Sequence, residues 1–249
     1  MIDHNRSGFR GLCDFLHDAD YVLVRAHAQD DTKIRSYIAL YGGLSNPTGN
    51  YASTDYNNNK SAYAKRGVTF ALDGAVYVYK NLAIGGTISF QDQGKLNAND
   101  TYNLAQGYVA SYTADQATVS GYDRFHNWNV LVGPQYSFTY HRFILDLRAS
   151  AGIIRVYSTP ETSILLEGEP EQTVTFYQRK SEGLIFGAGG SAGLRYKLSD
   201  GFALAFKASY VSSGGTTISN DDRTENLGRL VTKLPITELQ TTIGFTIGF

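Results

Sequence analysis

The stretch Glu238-Leu239-Gln240-Thr241-Thr242-Ile243-Gly244-Phe245-Thr246-Ile247-Gly248-Phe249 alternates with a strict period of two. Leu239, Ile243, Phe245, Ile247 and Phe249 share one face, with Thr241 among them, while Glu238, Gln240, Thr242, Gly244, Thr246 and Gly248 share the other. Successive side chains of a strand point to opposite sides, so this is a β-strand with one apolar and one small, polar face.

The same rule recurs upstream. Phe202, Leu204, Phe206, Ala208 and Tyr210 alternate with Ala203, Ala205, Lys207, Ser209 and Val211. Residues 184–198 and 143–154 follow it, as do Trp128 to Tyr140, Leu82 to Gln91 and Val68 to Tyr79. Arg35 to Leu44 is a weaker candidate because both its faces carry bulky residues. Eight strands result. Their connections alternate in length: long segments at 45–66, 92–124, 158–183 and 213–235, tight turns at Lys80-Asn81, His141-Arg142 and Ser199-Asp200-Gly201. The predicted fold class is all-β, an eight-stranded antiparallel up-and-down transmembrane β-barrel with four long loops on one rim and three tight turns on the other. Pro47, Pro160, Pro170 and Pro235 fall in the long loops, whereas Pro134 lies inside a strand and predicts a bulge or local break in pairing.

Composition supports a wall facing lipid. Charged residues are 18% of the 249-residue chain, against roughly 25% in ordinary soluble proteins. The formal charge of −1 offers no basic stripe for nucleic acid. One cysteine excludes a disulfide framework. No apolar run approaches a membrane helix, and the mean hydropathy is −0.25; both observations are blind to a barrel, whose apolar residues are interleaved with polar ones. A soluble lipocalin-like carrier would turn its apolar face inward and carry far more charge outside. Here the polar face is rich in Gly and Ala and fits a narrow lumen. Its charges are Asp73, Asp146 and Glu238 against Arg148, Arg195, Lys197 and Lys207, a set expected to neutralise itself as buried ion pairs. Aromatics collect near strand ends: Tyr140, Phe143, Tyr196, Phe202 and Phe249 toward one rim, Phe70, Phe90, Phe125, His126, Trp128, Tyr157 and Tyr210 toward the other. These read as interfacial girdles.

Residues 34–249 resemble the small outer-membrane β-barrels of the OmpA-transmembrane and OmpX kind. The terminal strand is the most specific element. Ile243, Phe245, Ile247 and Phe249 match that family's carboxy-terminal insertion signal, and the glycine-rich Gly187-Ala188-Gly189-Gly190-Ser191-Ala192-Gly193 is a weaker likeness. The resemblance implies the outer membrane of a Gram-negative bacterium, the tight turns in the periplasm and the long loops outside the cell. It also implies contact with outer-membrane lipid and lipopolysaccharide, and with the barrel-assembly machinery during insertion.

Residues 1–33 are read as a separate N-terminal segment, disordered or a damaged or mis-started signal region; Ala26-His27-Ala28 before Gln29 has the form of a cleavage site. The expected function is non-enzymatic: a barrel with a packed polar lumen serving membrane integrity, or adhesion and recognition of an extracellular ligand through loops rich in Tyr and Asn (Tyr51, Tyr56, Asn57, Asn58, Asn59, Tyr63, Tyr102, Tyr108, Tyr112, Tyr122). The alternatives are a narrow pore for small solutes and a lipid-A-modifying enzyme. The enzyme would need a nucleophile beside His126, and Trp128 stands where it would share that face. Asn220-Asp221-Asp222 lacks the ligand spacing of a calcium loop, so no metal or cofactor is expected.

Overall fold

Alternation becomes a wall when each strand finds two neighbours. In the computed structural model, which describes residues 34–58, 60–121, 124–158, 162–168, 172–178, 182–217 and 233–249, they do. The strands are β1 (Tyr37–Pro47), β2 (Gly67–Tyr79), β3 (Leu82–Asp92), β4 (Gln116–Gly121), β5 (His126–Tyr140), β6 (Phe143–Ser158), β7 (Thr162–Gly168), β8 (Gln172–Gln178), β9 (Gly183–Lys197), β10 (Phe202–Ser213), β11 (Thr216–Thr217), β12 (Lys233–Leu234) and β13 (Thr237–Gly248). Two helices, α1 (Gly49–Ala52) and α2 (Ala98–Tyr112), lie in the first two long connections. Eight strands close into a barrel in the order β1-β13-β10-β9-β6-β5-β3-β2, every pair antiparallel. The terminal strand β13 closes it by pairing with β1, Phe245 opposite Leu40 and Ile247 opposite Ile38.

Strand β1 alternates only weakly because Tyr37 and Tyr41 fill the lumen while Ile38 and Leu40 face outward. It also runs on to Pro47, so this proline ends a strand instead of sitting in a loop. Pro134 makes no bulge. It sits opposite Ile84 of β3, and the ladder to β6 skips Gly133 and Pro134 and resumes in the same register, Val132 opposite Ala151 and Gln135 opposite Arg148. A proline lacks the donor for one ladder bond but need not shift the strand. The register shifts elsewhere, between His126 and Asn127 and between Tyr77 and Tyr79.

The long connections hold more structure than loops read from sequence. Asn97 and Asp100 form a reciprocal capping box at the start of α2. Its Leu104, Ala105 and Tyr108 pack on Val119 of β4 and on Ile164 and Leu166 of β7. With β8, these strands form a separate three-stranded sheet in the order β4-β7-β8. The N-terminal segment 1–33, Asn59, Tyr122 and Asn220-Asp221-Asp222 lie outside the described residues, as do Pro160 and Pro170.

Candidate functional site

The inward face of the barrel is built from strand register. Asp73 of β2 sits opposite Thr87 of β3, and on the far side Gln135 and Ser137 of β5 sit opposite Arg148 and Asp146 of β6. Arg148 crosses the lumen to Asp73, donating from Nη1 to Oδ2 at 2.8 Å and from Nη2 to Oδ1 at 3.0 Å. It also donates from Nε and Nη2 to Oε1 of Gln135, at 3.0 and 2.6 Å. Lys207 of β10 brings a second cation to Asp73 and donates to Thr87 Oγ1 at 3.1 Å. Beside this set, Arg195 of β9 grips Asp146 through Nε and Nη2, at 2.6 and 2.9 Å. The two sets are joined. The Tyr37 hydroxyl donates toward Asp73 and Gln135 while the Arg195 guanidinium lies 3.9 Å from its ring centroid, and Tyr77 meets both Arg195 and Ser137. The side chains of Asp73 and Arg148 are 1% and 3% exposed. Such charges survive burial only with close partners and fully used hydrogen-bonding groups, as here.

Two expected members of the network stand apart. Glu238 is fully buried but, among the described residues, meets no cation. It accepts from Asn129 and Gln240 on one carboxylate oxygen (2.9 and 2.8 Å) and from Ser45 and Gln93 on the other (2.9 and 2.8 Å). These four bonds match the lone-pair sites of a carboxylate, so neutral donors replace the expected ion pair. Lys197 closes β9 at the tight-turn rim, half-buried, where its backbone N–H donates to the Arg142 carbonyl; it lies outside the ion-paired layer because it is too near the strand's end.

Beyond the Glu238 cluster an apolar cap fills the mouth under the long loops. Inward-facing Leu131, Ile154, Val156 and Val211 meet Tyr51 of α1, Ala62, Ala64, Phe125, Leu234 and Ile236. Tyr51 packs edge-on against Phe125 and donates to Gln93 Oε1 at 2.5 Å, which links the cap to Glu238. Burial pushes the Tyr51 phenol well above its ordinary value, and the Glu238 charge adds to this. Phe125 is thus a cap residue and not a girdle residue; it precedes β5, where alternation no longer fixes direction. Tyr63 and Tyr108 are also buried, in the packing of α2 and its sheet, and are withdrawn from the loop surface expected from sequence.

The outer face is apolar over most of its height, with Arg155 exposed on it near the long-loop end. Leu40, Phe186, Phe245 and Phe249 are each more than 60% exposed, and Ile243 and Ile247 of the expected insertion signal face outward with them. Tyr140, Phe143 and Phe202 are exposed at the tight-turn rim, where Phe143 packs on Tyr196 at 5.0 Å. Trp128 and His126 flank Phe90 at the other end, with ring centroids 5.2 and 6.2 Å away. The side chain of Tyr157 lies outside the described residues. A closed sheet with an apolar belt outside and ion pairs inside inverts a soluble barrel, as a wall in lipid requires. The architecture is that of a small eight-stranded outer-membrane barrel.

No family model matches the chain, and no curated protein does. Solved structures similar to this barrel include Neisserial surface protein A (10% identity over 86% of this chain and 97% of that one, TM-score 0.44). Ail, the attachment invasion locus protein of Yersinia pestis, shares 13% identity over 86% of this chain and 98% of that one, with a TM-score of 0.41. OprG of Pseudomonas aeruginosa shares 12% over 87% and 97%, with a TM-score of 0.43.

Proposed function

We propose that the protein is a non-conducting outer-membrane barrel of a Gram-negative envelope that anchors a folded module on the cell surface. The observation that carries this reading is the double closure of the lumen. The ion-paired layer of Asp73, Arg148, Lys207, Asp146 and Arg195 crosses it, and the apolar cap around Ile154 and Ile236 fills its outer mouth. A narrow pore would need unpaired charges lining a wet path. The buried side chains of this layer face one another instead.

The long connections supply the exposed module: α2, its three-stranded sheet, and a surface that includes Tyr102 and the Asn-rich turn near Asn57. Its role is adhesion or recognition of an extracellular ligand, with structural support of the membrane as the barrel's own contribution. Lipid and lipopolysaccharide cover the outer belt, and Ile243, Phe245, Ile247 and Phe249 engage the assembly machinery during insertion. The protein is not an enzyme in this reading: two positions on from outward-facing His126, where a nucleophile would share its face, stands Trp128, and both rings pack beside Phe90. Purified protein in planar lipid bilayers tests the closure. No channel steps are expected, and reproducible single-channel currents would overturn it.

A further inference from the structure

The tight-turn rim is charged in a way the membrane-anchor reading does not use. Arg35 precedes β1, Lys80 lies in the β2–β3 turn, His141 and Arg142 form the β5–β6 turn, and Lys197 closes β9. Against these stands Asp200 in the last turn. Arg35, Lys80, His141, Arg142 and Asp200 are exposed. The positions form a continuous circuit. Lys197 N–H donates to the Arg142 carbonyl, Ser137 N–H of β5 donates to the Asn81 carbonyl, and Gly248 N–H donates to the Gly201 carbonyl, with Arg35 lying beside Gly248.

Two of these side chains have a defined direction. Lys80 Nζ lies 5.3 Å from the centroid of the exposed Tyr79 ring, and His141 packs edge-on against the exposed Tyr140 ring at 4.4 Å. Both lean onto outward-facing aromatics, at the level where such rings meet lipid headgroups, and not along the barrel axis into solvent. Lys80 and His141 also hold positive φ, 44° and 54°, in turns where glycine or asparagine would be relaxed. The basic side chains are kept at a conformational cost that a neutral turn residue would avoid.

We propose that this rim is a binding surface for the phosphate headgroups of anionic phospholipids in the leaflet that it meets. The inference rests on the membrane-barrel reading and adds to it a lipid class and a leaflet. A cationic side chain at an anionic membrane surface is attracted individually and modestly, so the effect comes from several acting around one rim. An anionic wall polymer would find the same charge. The ring-stacked positions of Lys80 and His141 favour the lipid.

The test is retention of lipid by folded, full-length protein in native mass spectrometry, offered phosphatidylglycerol and phosphatidylethanolamine in equal amounts. Heat-modifiable migration on a gel first establishes that the barrel is folded, so a failure of the membrane-barrel reading is recognised separately. Retention of phosphatidylglycerol is expected to exceed that of phosphatidylethanolamine by roughly tenfold, falling below about twofold when Arg35, Lys80, Arg142 and Lys197 are all replaced by Gln. Lys60→Gln with Lys95→Gln, exposed positions in the long loops, should leave the preference unchanged. Equal retention of both lipids by the natural chain would overturn the proposal. So would an undiminished preference in the fourfold variant, or binding to purified sacculi without any lipid preference.

Discussion

Arg148 reaches from β6 across the lumen to Asp73 on β2, with β5 and β3 between them in the sheet, and engages both carboxylate oxygens. A pair placed this way ties opposite walls together, which no ladder of backbone hydrogen bonds can do. It also explains the small residues around it. A barrel of eight strands has room for a transverse guanidinium only if the positions facing it are nearly empty.

Breaking the pair from the acidic side should be costly. Asp73→Asn leaves Arg148 and Lys207 facing each other without their shared counterion, and a stranded buried charge costs about 3–5 kcal/mol. Asp146→Asn strands only Arg195, which keeps the Tyr77 hydroxyl and the Tyr37 ring, so its loss should be smaller. Urea unfolding of the refolded barrel in lipid vesicles measures both, and equal losses would contradict the shared-counterion arrangement.

Gly85 and Gly86 differ by one position and should differ sharply in tolerance. A Cβ at inward-facing Gly85 would stand 2.5 Å from the Arg148 guanidinium, whereas at Gly86 the nearest atom is a carbonyl oxygen 3.7 Å away. Gly85→Ala is expected to cost about 2 kcal/mol by displacing Arg148 from Asp73. Gly86→Ala should stay within about 0.5 kcal/mol. The same unfolding measurement separates them.

These relationships mark the limit of the sequence. Alternation located the barrel because each strand has lipid on one side and lumen on the other. It blurred where the lumen itself turns bulky, at Tyr37 and Tyr41, or apolar, at Ile154 and Val156 under the cap. The lumen charges could be named but not paired. Asp146 with Arg195 was within reach because both follow the same alternation on adjacent strands, whereas the neutral donors around Glu238 come from three distant parts of the chain. Helix α2 left a legible trace that loop composition obscured: Asn97 three residues before Asp100, then Leu104, Ala105 and Tyr108 on one helical face. The small sheet it covers is assembled from two different connections, a pairing that no local period announces.

The cap should loosen at alkaline pH. The Tyr51 phenol is held neutral by burial, so its folded value lies above the unfolded value of about 10. Its contribution is therefore complete below pH ~10 and is lost as the pH rises through the folded value. Protease cutting within residues 53–66 of the folded barrel is expected to rise in this range. Tyr51→Phe should remove the Tyr51-dependent step while raising cleavage at neutral pH, because Gln93 loses its donor.

The surface module should yield without the barrel. Asp100 accepts from the Asn97 backbone as part of the α2 capping box and receives Lys65 Nζ at 2.7 Å. Asp100→Ala removes both contacts at a cost of about 1–2 kcal/mol, local to the helix because both partners, Asn97 and Lys65, lie in the long connections and not in a barrel strand. Hydrogen exchange of the α2 amides should accelerate several-fold, and proteolysis should concentrate in the second long connection. Heat-modifiable migration, set by the barrel ladders, should be unchanged. If the barrel's urea midpoint fell together with the helix, the module and the barrel would be one cooperative unit and the anchor-and-module division would fail.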